Sequence, residues 1–62
     1  MLRKLREERG LTQAQLAGMV GVTDRAIGKW EARGVAKAQF AVMGRLAKAL
    51  GVSMEELLDR QQ

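Results

Sequence analysis

Among the 62 residues there is no cysteine, no histidine, no proline and no tyrosine, and only one tryptophan and one phenylalanine. Without cysteine there can be no disulfide, and without histidine as well the usual zinc ligand sets are missing, so no metal site is expected. The same two absences remove the commonest general base and the readiest nucleophile. Ser53 is the only serine, and a chain this short has little wall with which to enclose a pocket. An enzyme, a cofactor and a small-molecule substrate are therefore not expected. No stretch approaches the roughly 18 apolar residues of a membrane span. The opening Met1-Leu2-Arg3-Lys4-Leu5-Arg6 is charged and amphipathic, unlike a signal peptide. No membrane partner and a cytoplasmic location are expected.

What is present is positive charge and helix formers. Eleven Lys and Arg face seven Asp and Glu, a formal net charge of +4. Such a balance fits a polyanion partner, although solubility alone also explains it. Its distribution is more informative: residues 1–51 hold ten basic and four acidic groups, whereas residues 52–62 hold Arg60 against Glu55, Glu56 and Asp59. The acidic end is expected to face away from a polyanion. Ala, Leu, Glu, Lys, Arg and Gln dominate and alternating β-branched runs are absent, so the expected fold class is all-α. Residues 1–62 are expected to form one domain, which at this length buries only about 60% of its unfolded surface and depends on a tight apolar core.

Glycine does the punctuation that proline would otherwise do. Gly10, Gly21, Gly34 and Gly51 fall where apolar periodicity pauses, as expected just past helix C-termini. They predict five short helices: about 2–9, from 12, from 23, about 39–50, and from 53, with Gln61-Gln62 frayed. Thr12-Gln13-Ala14-Gln15 and Ser53-Met54-Glu55-Glu56 have the reciprocal capping pattern, and Thr23 caps the third helix. The third helix turns Ala26, Ile27 and Trp30 inward. On the fourth, Phe40, Met43, Leu46, Ala47 and Leu50 form one apolar stripe. Residues 32–38 are expected to be a loop around Gly34.

Residues 12–31, TQAQLAGMVGVTDRAIGKWE, read as two short helices joined at Gly21, held by Leu16, Ala17, Val20, Val22 and Ile27. The outward side of the second helix then presents Asp24, Arg25, Gly28 and Lys29. A rigid helix pair displaying a polar face is what the DNA major groove accepts. Trp30 lies on the Ile27 side and reads as core, not as a platform for a base.

This segment resembles the helix-turn-helix of the phage repressor and Cro family, the lambda-repressor-like or xenobiotic-response-element-type regulators. The likeness extends to the flanks, through Leu5-Arg6-Glu7-Glu8-Arg9-Gly10-Leu11 and through Leu46-Ala47-Lys48-Ala49-Leu50-Gly51-Val52-Ser53 with Glu56-Leu57-Leu58. It implies a five-helix domain and a sequence-specific regulator of transcription, a repressor, bacterial or phage-encoded and associated with the nucleoid. It implies base contacts from Asp24, Arg25 and Lys29, with Asp24 equally placed to favour the positive helix start. It implies backbone contacts from Thr12, Gln13, Thr23, Arg33, Lys37 and Gln39, and a structural ion pair between Arg6 and Glu31. The partner it implies is a pseudo-palindromic DNA operator bound by a homodimer, with Phe40, Val52, Met54, Leu57 and Leu58 as the expected dimer surface. The segment 32–38 departs from the family, replacing its Asn-Gly and later proline, and the fourth helix lacks the usual serine or proline start. The alternative reading is a protein-interaction module, or an antitoxin-like partner-binding domain, built on the same fold.

Overall fold

In the computed structural model, residues 2–59 are described; the expected fraying of Gln61-Gln62 lies outside them. The chain forms α1 (Leu2–Glu8), α2 (Gln13–Val20), α3 (Asp24–Arg33), a 3-10 turn (Val35–Lys37), α4 (Phe40–Leu50) and α5 (Met54–Asp59). All regular structure among the described residues is helical, as the composition predicts.

Local chemistry sets the boundaries. Thr12 Oγ1 accepts from the Gln15 N–H at 3.0 Å while the Thr12 N–H donates to Gln15 Oε1 at 2.8 Å. Ser53 and Glu56 repeat the arrangement at the start of α5. Each pair satisfies donors that a helix start leaves open. At the other end of α2, Gly21 sits at φ 83° with its N–H on the Ala17 carbonyl at 2.8 Å. That left-handed conformation strains any residue with a Cβ and turns the chain sharply into α3.

The helices close around Leu16, Val20, Ile27, Leu46, Leu50 and Leu57, all fully buried. Burying side chains of this size contributes about 1.5–3 kcal/mol each. The buried Ala17 lets α2 and α3 approach, and α4 packs behind α2.

Three expectations are corrected. Phe40 is not part of the core stripe: it is 75% exposed, and Val42 takes its place with Leu46, Ala47 and Leu50. At 3.6 residues per turn Phe40 lies about a quarter-turn off the centre of that stripe, and it sits on the first residue of the helix. Leu57 is 0% exposed and so offers nothing to a dimer surface, whereas Val52, Met54 and Leu58 are half-buried. The segment 32–38 is not a plain loop. The third helix runs on to Arg33, and Val35 and Ala38 are buried on either side of the short turn. The turn packs against both α3 and α5, which fixes the path of the chain after α3.

Candidate nucleic-acid interface

Helix α3 is amphipathic with its cations on one line. Ile27 faces the core and Trp30 packs half-buried against it. Arg25, Lys29 and Arg33 recur at four-residue spacing, which puts them on one side of the helix, and all three are exposed. Lys37, exposed on the following turn, continues the positive charge. None of the four has a hydrogen-bond or ion-pair partner among the described residues.

The other arginines are differently employed. Arg6 donates from Nη1 to the Leu11 carbonyl at 2.8 Å, Arg9 from Nε to the Leu50 carbonyl at 2.6 Å, and Arg45 from Nε to the Val20 carbonyl at 3.0 Å. Leu50 and Val20 are the last residues of α4 and α2, where carbonyls lack helical partners and cations are favoured. Arg3 pairs with Glu7 on the surface. The positive charge thus includes Arg6, Arg9 and Arg45, each bonded to a backbone carbonyl, and the unpartnered cations of α3 and its following turn, while Lys4 on α1 and Lys48 on α4 are exposed elsewhere.

The start of α3 is held by Thr23, whose Oγ1 accepts the Ala26 N–H at 3.1 Å. Asp24 is exposed in the first turn. The start of α2 is brought against α3 by Gln13. Its Nε2 donates to Glu31 Oε1 at 2.9 Å, and its amide lies 3.5 Å from where a Cβ on Gly28 would stand. Thr12 is exposed beside it. Gln39, the residue before α4, is exposed and makes no side-chain cap bond.

Glu31 is the hub beneath this surface. Arg6 Nε donates to Glu31 Oε2 at 2.5 Å and Nη2 to Oε1 at 3.3 Å, with the two side chains only 11% and 6% exposed. Burial by itself pushes the Glu31 carboxyl up. The hydrogen bonds from Arg6 and Gln13, with the Arg6 and Arg3 charges, outweigh burial and hold it below the ordinary carboxylate range. The hydrogen bond to Glu31 raises Arg6 further. The pair stays ionised, so α3 carries its outward cations without an opposing free charge from Glu31.

The sequence therefore places Arg25, Lys29, Arg33 and Lys37 in one exposed series, with Asp24 and Thr23 at its head and Thr12 and Gln13 beside it. It did not signal the carbonyl ties of Arg9 and Arg45, or the Gln13–Glu31 bond, which join residues 41, 25 and 18 positions apart. No local pattern encodes such contacts.

A family model described as helix-turn-helix matches residues 2–57. The chain belongs to this family, the lambda-repressor-like type of DNA-binding transcription regulator. Searches of curated proteins and of solved structures return no match. No helix among the described residues is long and apolar enough to cross a membrane.

Proposed function

We propose that the protein is a sequence-specific repressor that lays α3 in the DNA major groove. The observation that carries this reading is the exposed series Arg25–Lys29–Arg33–Lys37, without partners among the described residues, on a helix whose opposite side is locked into the core and on the turn that follows it. In this reading Arg25 and Lys29 reach base edges, where Arg is suited to a bidentate bond with guanine O6 and N7. Asp24 stands near the bases at the helix start and accepts from cytosine N4. Thr12, Gln13 and Thr23 hold phosphates on one side of the groove, and Arg33, Lys37 and Gln39 hold them on the other.

Gln13 serves both surfaces. One amide hydrogen is given to Glu31, and the second remains for a phosphate oxygen. Because the same side chain grips α3, a phosphate bound there is set in register with the reading helix.

A single module of this size buries only about 600–1,000 Å² on DNA. The protein acts as a homodimer on two half-sites about one helical turn apart. Phe40, with Val52, Met54 and Leu58, supplies the apolar contact.

Selection of duplexes from a random pool tests the proposal. The expected product is a pseudo-palindromic site whose affinity falls steeply with salt. Recovery of no preferred sequence at low salt overturns it.

A further inference from the structure

An open groove of about 360 Å³ runs between the C-terminal halves of α2 and α4, lined by Met19, Arg45, Lys48 and Ala49. None of its lining residues belongs to α3 or to the turn after it. Met19 is 55% exposed, and with Phe40 it makes up the large apolar side chains left exposed among the described residues. Arg45 is not a free surface arginine. Its Nε is tied to the Val20 carbonyl, so its guanidinium is held in place at the rim with the terminal nitrogens unpaired among the described residues. Lys48 stands exposed one helical turn further along.

We propose that this groove docks an acidic amphipathic segment of a second protein. An apolar side chain of the partner seats against Met19 and Ala49, and its carboxylates meet Arg45 and Lys48. The charge on the rim selects acid, and a guanidinium already fixed at one edge loses little freedom on binding a carboxylate. The apolar floor selects a protein over a nucleic acid. A phosphate contact gains nothing from an exposed methionine between the cations, whereas methionine and arginine are enriched where proteins meet. A second copy of this chain fits poorly. Of its exposed acids among the described residues, Glu7 and Glu8 are paired with Arg3 and Arg9 and Glu56 caps Ser53, which leaves Asp24 and Glu55 on separate helices and no uncommitted acidic segment. Occupation of the groove leaves α3 uncovered, so the partner and DNA bind together.

A synthetic helical peptide of leucine and glutamate tests this, with a leucine and lysine peptide of the same pattern as control. Amide NMR shifts report where each one binds. The acidic peptide is expected to move the amides of Met19, Arg45, Lys48 and Ala49 and to leave those of Arg25, Lys29 and Arg33 in place. Met19→Gln changes an exposed side chain and is expected to melt like the parent, and Lys48→Glu, in the last turn of α4, to stay folded and melt slightly lower. Each should weaken the acidic peptide about tenfold and leave affinity for a selected duplex unaltered. Four results overturn the proposal: no binding of the acidic peptide, shifts centred on α3, a loss of duplex affinity in Lys48→Glu that marks the rim as a phosphate contact, or a loss of self-association in Met19→Gln that marks a second copy as the occupant.

Discussion

Gln13 and Glu31 are bonded at 2.9 Å across the junction of α2 and α3, and the same carboxylate accepts from Arg6 on α1. Three helices therefore meet at one buried acid beneath the cationic side of α3. Removing one member of such a buried set leaves a charge without a counterion, which costs far more than the set contributes when complete. Glu31→Ala is expected to lower the unfolding free energy by about 3 kcal/mol, a large share of the stability of so small a domain. Replacing both partners, Arg6→Met with Glu31→Leu, is expected to recover most of that loss. Urea melts of the two variants check it, and equal losses in both would contradict the account.

The same carboxylate gives the protein a particular response to acid. Glu31 releases its proton more readily folded than unfolded. Its contribution to stability is complete above the ordinary carboxylate range and is lost as pH falls through that range and past the lowered folded value. Glu31→Gln is expected to melt below the parent at about pH 7 and to converge on it by about pH 2. A constant gap in melting temperature across the series would place the effect in packing and not in ionisation.

Much of this architecture was legible in the sequence because its causes are local. The capping pairs Thr12–Gln15 and Ser53–Glu56 lie three residues apart, and the four pausing glycines are those with positive φ. The exposed positions of α3 followed from placing Ile27 inward. What was not legible depends on residues distant in the chain. Val35 and Ala38 are buried because α3 and α5 converge on the turn that carries them. Phe40 is left outside because the helix begins at that residue, and hydrophobicity alone does not report that. The roles of Arg9 and Arg45 are set by which carbonyls come within reach once five helices have closed.

Gly18 and Gly44 lie within helices, and a Cβ added at either meets nothing within 4 Å. Glycine in a helix interior costs about 1 kcal/mol relative to alanine. Gly18→Ala and Gly44→Ala are each expected to add about that much, or roughly 4–8 °C in melting temperature for a domain of this size. Gly28→Ala places its methyl in ordinary contact with Gln13 and is expected to gain a similar amount. Calorimetry decides it, and a destabilised Gly18→Ala would mean that the helix there is not the one described.

Phe40 and Leu57 separate association from folding. Leu57→Ala opens a cavity in the core and is expected to cost about 2–5 kcal/mol. Phe40→Ser alters a side chain that is 75% exposed and is expected to change monomer stability by less than about 0.5 kcal/mol. If Phe40 belongs to the dimer contact, its loss weakens binding to a two-half-site duplex and leaves binding to a single half-site unaffected. Sedimentation and gel-shift titrations with both duplexes read this. Equal behaviour on the two would remove Phe40 from the interface.

The division of labour among the cations makes the sharpest demand on the proposed mechanism. Arg9 is tied to the end of α4, so Arg9→Ala is expected to lose about 1–2 kcal/mol of stability through the missing hydrogen bond and to leave the salt dependence of DNA binding unchanged. Lys37 has no partner to lose among the described residues. Lys37→Ala is expected to melt like the parent, to weaken all duplexes alike and to reduce the slope of log affinity against log salt by about 1. Arg25→Ala should instead relax preference at one base position by about 1–3 kcal/mol. The three variants differ in which measurement responds: melting for Arg9, salt slope for Lys37, base preference for Arg25. A salt slope lowered as much by Arg9→Ala as by Lys37→Ala would show that the helix-tying arginines also meet phosphate, and the assignment of the DNA surface to α3 and its turn would fail.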